Sequence, residues 1–224
     1  MKQDRLVLSQ DGSHTIISHM FGVSYHSKHG AIQETQTVFL DAGLNYSDFK
    51  SKPEIKILEM GFGTGLNALM TLLQNDSRSL EYHTLEAYPI EKDQWLSLNY
   101  PEIFELDDDD VARFYSMHKS SSGESVQINE RFDFTKFITQ LEDYQSSNQY
   151  DVIYYDAFAP TSQEELWTEH MMKKMYDLTS DGGILVTYCA KGSFKRALKA
   201  AGYRVENLPG PIGKREMTRA IKDA

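Results

Sequence analysis

The sequence is poor in cysteine and has no long apolar run. Cys189 is the only cysteine among 224 residues, which excludes an intramolecular disulfide and a metal site of the CxxC type. No stretch approaches the roughly 18 apolar residues of a membrane helix, and the first residues lack the apolar core of a signal peptide. These absences predict a protein of the reducing cytoplasm that does not enter a membrane.

A net positive charge is also lacking. The 33 acidic residues outnumber the 23 basic ones, and the formal net charge of −10 repels nucleic acid as a whole. The chain from Lys191 to Lys222 is the exception, because nine of its residues are basic and two are acidic. This local excess suits one face that meets a polyanion, although a solvated helix and strand end would give the same composition.

Segments of strand and helix character alternate along most of the chain. Four have the pattern of buried strands, residues 55–60, 80–86, 150–156 and 184–188. Three have the pattern of helices, residues 66–73, 163–178 and 194–201. Such alternation predicts one α/β domain whose mainly parallel sheet is covered by helices on both faces.

Other segments are less regular. Residues 1–50 contain two short strands around an Asp11-Gly12 turn and a helix over residues 30–40, which predicts a small N-terminal extension packed on a core of residues 51–224. Further along, residues 125–128 suggest a weaker strand and residues 134–144 a helix. The acidic run Asp107–Asp110 is expected in an exposed loop.

A glycine-rich turn follows the first buried strand and opens a helix. Its sequence is Glu59-Met-Gly61-Phe62-Gly63-Thr64-Gly65. Glycines at such a turn let a nucleotide-like ligand approach the backbone closely. The GxGxG spacing differs from the GxGxxG of dinucleotide enzymes, and a carboxylate at Glu59 would repel pyrophosphate but tolerate the cationic amino-acid end of S-adenosylmethionine. The turn therefore favours the methyl donor over NAD.

Acidic residues follow the next two predicted strands. Glu86 ends the second strand, where a carboxylate accepts hydrogen bonds from both hydroxyls of a ribose. Asp133 comes after the third, and we expect it to meet the adenine amino group. Each acid alone is more often a solvated loop residue, but their order at successive strand ends supports a cofactor site.

Asp156 directly follows the most apolar strand, within the segment Asp156-Ala-Phe158-Ala-Pro160. Ligands of doubly wound sheets bind at the carboxyl edge, where this strand ends. We therefore interpret Asp156 as the residue beside which methyl transfer occurs. The alternative is a capping role, which is common for an aspartate before a proline-containing turn.

Several motifs together resemble the methyltransferase domain of MnmC-type tRNA-modifying enzymes. They are Glu59-x-Gly-Phe-Gly-Thr-Gly-Leu-Asn67, Asp156-x-Phe-Ala-Pro160 followed by Trp167, the Gly182-Gly183 strand entry, Lys214-Arg215-Glu-Met217 and the segment Gln33–Leu40. The resemblance extends from about residue 25 to the end of the chain. It implies a Rossmann-like class I methyltransferase with a mainly parallel seven-stranded sheet and S-adenosylmethionine as its cofactor.

The same resemblance implies a reaction. A methyl group would pass to the amine of 5-aminomethyl-(2-thio)uridine at the wobble position of tRNA, giving the 5-methylaminomethyl product. The two-domain members carry a C-terminal FAD-dependent oxidase, and this chain resembles the stand-alone form without it. We therefore expect a separate enzyme to supply the aminomethyl group.

Residue roles follow from that reaction. Asp156 would orient the amine and accept its proton, and Asn67 would join the glycine turn in holding the cofactor. Phe158, Pro160 and Trp167 would contact the flipped-out uracil, with core packing as the alternative for the two aromatic side chains.

The C-terminal basic residues are the candidates for RNA contact. Those expected to meet phosphates of the anticodon stem-loop are Lys191, Arg196, Lys214 and Arg215, with solvated surface as the alternative. Three histidines, His26, His29 and His83, lack the carboxylate or cysteine partners of a metal site, so we expect no metal.

Two other functions stay open. A small-molecule aminopropyl- or methyltransferase of the polyamine-synthase type shares this sheet and a similar strand ending in Asp, and it would need an acidic pocket. A noncatalytic protein would use the same turn to bind S-adenosylmethionine for sensing or scaffolding. The basic excess and the Lys214-Arg-Glu-Met217 element favour RNA, and Asp156 beside an intact cofactor turn argues against a noncatalytic protein.

Overall fold

The computed structural model describes residues 4–74 and 77–224, and within them ten strands form two sheets. An antiparallel hairpin consists of Arg5–Leu8 (β1) and His14–Ile17 (β2). The central sheet consists of Glu54–Met60 (β3), Ser79–Glu86 (β4), Ser125–Asn129 (β5), Phe132–Ile138 (β6), Tyr150–Tyr155 (β7), Thr179–Thr187 (β8), Arg204–Pro209 (β9) and Glu216–Ile221 (β10).

Helices connect most of these strands. The α-helices are Ala31–Thr35 (α1), Leu66–Gln74 (α2), Lys92–Leu96 (α3), Tyr100–Ile103 (α4), Asp108–Lys119 (α5), Glu169–Leu178 (α6) and Gly192–Ala201 (α7). The first continues as a π-helix, Gln36–Leu44, and short 3-10 helices cover Ser47–Phe49 and Glu164–Trp167.

The order of strands in the central sheet is β5-β6-β4-β3-β7-β8-β10-β9. Neighbours from β6 to β8 are parallel, whereas β10 is antiparallel to both β8 and β9, and β5 is antiparallel to β6. This confirms the mainly parallel α/β sheet expected from the sequence. The sheet has eight strands in the described part of the chain rather than seven, because residues 132–138 form β6 beside the predicted strand at residues 125–128.

Residues 132–138 form a strand where the sequence suggested the start of a helix. Phe132 and Phe134 are fully buried and Asp133 between them is exposed, so the side chains alternate with the period of a strand. The helix predicted over residues 134–144 is therefore wrong over residues 134–138, which belong to this strand.

The new strand boundaries move Asp133 away from the expected cofactor site. Asp133 pairs in register with Glu81 near the start of β4, whereas Glu86 at the end of β4 pairs with Ile138. Since these strands are parallel, Asp133 lies at the opposite edge of the sheet from Glu86. This placement does not support its predicted contact with adenine.

The acidic run Asp107–Asp110 begins helix α5 instead of forming a loop. Asp107 is the N-cap residue, and its side chain accepts a hydrogen bond from the backbone N–H of Asp110 at 2.8 Å. Carboxylates in the first turn are also stabilised by the positive end of the helix dipole. The run thus starts a helix that buries Phe114 and Met117 in the core.

Apolar side chains cover both faces of the central sheet. The π-helix and α2 pack on one face, and α6 and α7 pack on the other. Val38, Leu40 and Leu44 are fully buried, so the first fifty residues share the core of the sheet, and their boundary at residue 50 stays a prediction. No helix in the described parts of the chain combines the length and the apolar character that a membrane crossing requires.

Candidate active site

A cavity opens where β3, β4 and β7 end. It encloses about 870 Å³ of empty space, its open mouth included. The glycine turn, the segment that follows β6 and part of the N-terminal extension complete its lining. Predicted site residues that line it are Gly61, Phe62, Gly63, Glu86, Asp156 and Phe158. The structure therefore brings together residues from three of the predicted strand ends.

The glycine turn has a backbone that requires glycine. Gly61, Gly63 and Gly65 have φ values of 92°, 51° and 76°. A Cβ atom at Gly61 would lie 3.0 Å from the carbonyl oxygen of Asp156, and one at Gly63 would lie 2.7 Å from the Tyr25 ring. The turn thus packs directly against the strand end that carries Asp156 and against the N-terminal extension.

Glu86 reaches from the end of β4 to this turn. Its Oε2 accepts a hydrogen bond from the backbone N–H of Gly63 at 2.8 Å, and its Oε1 accepts one from Tyr88 at 2.7 Å. Burial raises the pKa of the Glu86 carboxyl, and these backbone N–H groups oppose that change. The contacts fix the carboxyl at the cavity lining, the place expected for binding ribose hydroxyls.

Glu59 lies behind the turn. Its side chain is fully buried, and both carboxyl oxygens lack a hydrogen-bond partner within the described residues, as do Tyr82 Oη and Thr84 Oγ1. Burial raises the pKa of Glu59 well above its usual range, and the charge of Asp156 raises it further. Burial thus disfavours the charged form of Glu59, and its predicted contact with the cofactor stays a prediction.

Thr64 and Asn67 support the site from behind. The Thr64 hydroxyl lies 2.8 Å from Tyr100 Oη, so its side chain fixes the turn. The amide of Asn67 donates to Asp156 Oδ2 at 2.9 Å and accepts a hydrogen bond from Thr35 Oγ1 at 2.8 Å. Both residues were predicted to bind cofactor. The structure pairs their side chains with protein groups, and the contact with the cofactor stays a prediction.

Asp156 lies at the cavity lining with its backbone N–H donating to the Met60 carbonyl at 3.1 Å. Burial raises the pKa of its carboxyl to about 7, and the nearby charge of Glu34 acts in the same direction. The Asn67 amide and the Lys214 ammonium oppose this change. A carboxyl with that pKa can accept a proton near neutral pH.

An aromatic cluster surrounds Phe158. Its ring centroid lies 4.7 Å from that of Phe21 and 5.0 Å from that of Tyr25, and Phe21 also contacts Tyr88 at 5.6 Å. Tyr25, Tyr88 and Phe158 line the cavity. The sequence interpretation missed Phe21, Tyr25 and Tyr88, because no motif marks them.

Trp167 belongs to the core and not to the cavity. Only 6% of the residue is exposed, and its ring packs against Tyr155 and Phe194. Its Nε1 donates to the Phe158 carbonyl at 2.8 Å. This burial supports the alternative of core packing for Trp167 and does not support its predicted stacking on the uracil. Pro160 is half-buried in the loop after Asp156.

We expect Trp167→Phe to lower the free energy of unfolding by about 2 kcal/mol, because it leaves the Phe158 carbonyl without its donor and opens a small cavity. Urea denaturation measures this loss. A residue that stacked on a substrate base would behave differently, since its replacement would raise KM and leave unfolding unchanged.

Most of the C-terminal basic residues form ion pairs. The paired residues are Lys195 with Glu216, Arg204 and Arg219 with Glu206, Lys222 with Asp181, and Lys214 with Glu34. Placement of Lys214 against a buried carboxylate does not support its predicted phosphate contact. Within the described residues, the basic side chains of this segment that make no ion pair are Lys191, Arg196, Lys199 and Arg215, and all four are exposed.

The cavity residues fit S-adenosylmethionine. Met60, Phe62, Leu85 and Leu141 provide an apolar lining for a flat adenine ring, and Glu86 provides a carboxyl for hydroxyl groups. The positive φ values of the glycine turn leave its backbone open to a close approach by the ligand.

Comparison with known proteins agrees with this geometry. Residues 112–223 match a family model described as S-adenosyl-L-methionine-dependent methyltransferase. The tRNA 5-methylaminomethyl-2-thiouridine biosynthesis bifunctional protein MnmC of Aromatoleum aromaticum is 29% identical over 96% of this chain and 35% of its own length. The protein of the same name from Pseudoalteromonas atlantica is 30% identical over 92% of this chain and 32% of its own length.

A solved structure shows the same fold. The crystal structure of MNMC2 from Aquifex aeolicus matches with a TM-score of 0.80 at 23% identity, over 100% of this chain and 71% of that chain. The chain spans about a third of the length of the curated relatives it matches. Half of the chain lies within the family model, and the glycine turn, Glu86 and Asp156 form one cavity. The chain therefore belongs to the S-adenosyl-L-methionine-dependent methyltransferase family.

Proposed function

We propose that this chain transfers a methyl group from S-adenosylmethionine to the amine of 5-aminomethyl-(2-thio)uridine at the wobble position of tRNA. The observation that carries the proposal is Asp156, a carboxyl with a pKa of about 7 at the cavity lining of a methyltransferase. An acceptor amine needs such a group nearby, because it loses a proton when it is methylated. The acceptor is taken from the names of the curated relatives, which describe tRNA 5-methylaminomethyl-2-thiouridine biosynthesis.

S-adenosylmethionine, when bound, supplies the methyl group as an electrophile. Gly61, Gly63 and Glu86 would hold it, and Phe158 would contact the uracil ring. The amine has to be neutral to attack, and at pH 7 that costs about 4.6 kcal/mol for an amine with a pKa of about 10.4. Asp156 in its ionised form orients the amine and takes the proton that the nitrogen releases once the new carbon–nitrogen bond has formed.

The same proposal includes the partners. Lys191, Arg196 and Arg215 are exposed and would contact phosphates of the anticodon stem-loop. A separate enzyme would supply the aminomethyl group. We place the reaction in the cytoplasm, in keeping with a single, buried cysteine.

The test is methyl transfer to tRNA isolated from cells that accumulate the aminomethyl nucleoside. With labelled S-adenosylmethionine, we expect the 5-methylaminomethyl nucleoside in the digested tRNA, identified by mass spectrometry. Matched tRNA without the aminomethyl group is the control and should stay unlabelled. Tight cofactor binding without transfer to either tRNA would refute the proposal.

A small polyamine is the second candidate acceptor. Four carboxyl side chains line the cavity, Glu86, Glu142, Asp156 and Glu165, and such a lining attracts a polycation. Putrescine and spermidine in the same assay test this candidate, because a labelled polyamine together with unlabelled tRNA would favour it.

A further inference from the structure

An ion pair between a buried carboxylate and a half-buried lysine lies near Asp156. Glu34 is 4% exposed, and its Oε2 pairs with the Lys214 ammonium, while its Oε1 accepts a hydrogen bond from the Ser27 backbone N–H at 2.9 Å. The loop that carries Lys214 is attached to the start of α1, because the Ile212 N–H donates to the Gln33 side chain at 3.0 Å. Such a pair contributes little to net stability, because solvent screens the half-buried lysine and desolvation of Glu34 offsets the attraction. Its position therefore calls for another explanation.

One set of contacts links this pair to Asp156 through α1. Thr35 follows Glu34 in the helix and donates to Asn67 at 2.8 Å, and Asn67 donates to Asp156 Oδ2 at 2.9 Å. Thr35 and Asn67 are buried, and Asp156 is half-buried. The carboxyl of Asp156 is thus oriented by the helix that carries Glu34.

A second set of contacts reaches Asp156 from the other partner. The Lys214 ammonium lies 3.7 Å from the centre of the Tyr188 ring, and Tyr188 Oη donates to the Ala157 carbonyl at 2.8 Å. Ala157 is the next residue after Asp156. The two sets therefore close into a ring of contacts that holds Asp156 at the cavity.

The charges around Asp156 act in opposite directions. Glu34 raises the pKa of its carboxyl and Lys214 lowers it. The other titratable groups that face Asp156 are Glu59, Tyr82 and Tyr188, and those that face Lys214 besides Glu34 are His26, Tyr188 and Cys189. Burial lowers the pKa of His26 to about 4, so this ring is neutral at working pH, and burial raises the pKa of Glu59 and of the two tyrosines well above their usual ranges. Glu34 and Lys214 are the two opposite charges that act on the Asp156 carboxyl.

We propose that Glu34 and Lys214 form a positioning pair that orients Asp156 and sets the pH at which it accepts the proton of the acceptor amine. This inference rests on the proposed function. An amine at Asp156 also lies in the field of the Lys214 ammonium, which disfavours a second positive charge there. Lys214 thus lowers the pKa of Asp156 and disfavours the ammonium form of the amine, and both effects let the reaction run at lower pH.

The test compares pH profiles of kcat from pH 6 to 9 for the wild type, Lys214→Met, Lys214→Arg, Glu34→Gln and the double variant Glu34→Gln/Lys214→Met. We expect the midpoint of the pH profile to rise by about one pH unit in Lys214→Met, because only the negative charge of Glu34 then acts on Asp156. The midpoint should fall in Glu34→Gln, because only the positive charge of Lys214 remains. The midpoint of the double variant should lie between the midpoints of the two single variants. Lys214→Arg keeps the charge and should stay within a few tenths of a unit of the wild type.

Two results would overturn the inference. A higher KM for tRNA with an unchanged midpoint in Lys214→Met would show that Lys214 contacts phosphate, and equal midpoints in all variants would show a purely structural pair. Titration of Asp156 by carbon-13 NMR, with Asp156→Asn identifying its signal, gives the same comparison without turnover. If the wild type methylates no tRNA, the proposed function fails, and the NMR titration still decides whether the pair controls Asp156. Should Lys214→Met fail to fold, Glu34→Gln and the double variant carry the same test.

Discussion

Asp156→Asn is expected to lower kcat for methyl transfer by about 10²–10⁴-fold, the range found when a general base is removed. The amide keeps the size of the carboxyl and an oxygen that accepts from Asn67, so the cavity keeps its shape. We therefore expect the Kd of S-adenosylmethionine to change less than about threefold, a small free-energy difference. Single-turnover rates and isothermal titration measure the two quantities.

The same variant distinguishes an enzyme from a noncatalytic binding protein. Full function after Asp156→Asn in cells that need the modified nucleoside would support a sensing or scaffolding role. Loss of transfer with intact cofactor binding would support the base. Loss of both would assign Asp156 to the cofactor alone and remove it from the proton-transfer step.

Unfolding measurements on this variant exclude a folding defect as the cause. The pKa of Asp156 is raised from 3.8 to about 7, so ionisation in the folded state costs stability as pH rises through that window. Above pH 8 this shift would lower the free energy of unfolding by about 4 kcal/mol, and solvent in the cavity reduces that loss to about 2 kcal/mol. Asp156→Asn should therefore unfold at higher urea concentration than the wild type at pH 8, with a smaller difference at pH 5.

Local patterns were enough to predict the centre of this fold. Apolar strands at β3, β4 and β7, each followed by a turn or an acidic residue, specify a parallel sheet whose carboxyl edge carries the ligand. This rule alone predicted the positions of Glu86 and Asp156, because the end of a strand can be recognised from the sequence just before it. The glycine turn was visible for the same reason.

The parts that were missed depend on contacts between distant residues. Glu34 and Lys214 are separated by 180 positions, and no local spacing shows that they pair. Asn67 carried a motif, but its partners Thr35 and Asp156 appear only when α1 packs on the sheet. Tyr25 lies against Gly63 because of the same packing.

The wrong predictions have a different origin. The sequence predicts residues 125–128 as the third strand, with Asp133 beyond it, and residues 134–144 as a helix, whereas residues 132–138 form β6 and place Asp133 near its start. Trp167 is part of a motif, and a motif does not show whether a side chain faces the cavity or the core. The first error concerns the end of a strand at which a residue lies, and the second concerns the side that a residue faces. Contacts in the folded chain decide both, and composition does not.

Gly61→Ala is expected to reduce methyl transfer at least about 10²-fold, the effect of a displacement of about 1 Å at a reacting centre. The added Cβ would lie 3.0 Å from the Asp156 carbonyl oxygen. This is a backbone atom directly after β7, in a residue whose N–H donates to the Met60 carbonyl, so it does not move aside as the end of a side chain does. The residue also has a φ of 92°, which a side chain disfavours by about 1–2 kcal/mol. Both the glycine turn and Asp156 would therefore shift.

Gly123→Ala is the matched control for this prediction. Gly123 has a φ of 77°, and a Cβ atom there meets nothing within 4 Å. The Gly123→Ala variant should thus lose a similar amount of unfolding free energy, because its backbone is equally disfavoured for a side chain. It should keep the wild-type rate and the wild-type Kd for S-adenosylmethionine. Equal loss of activity in both variants would show that Gly61 acts through general stability. Loss in Gly61→Ala alone would show that the contact between the glycine turn and Asp156 sets the geometry of the reaction.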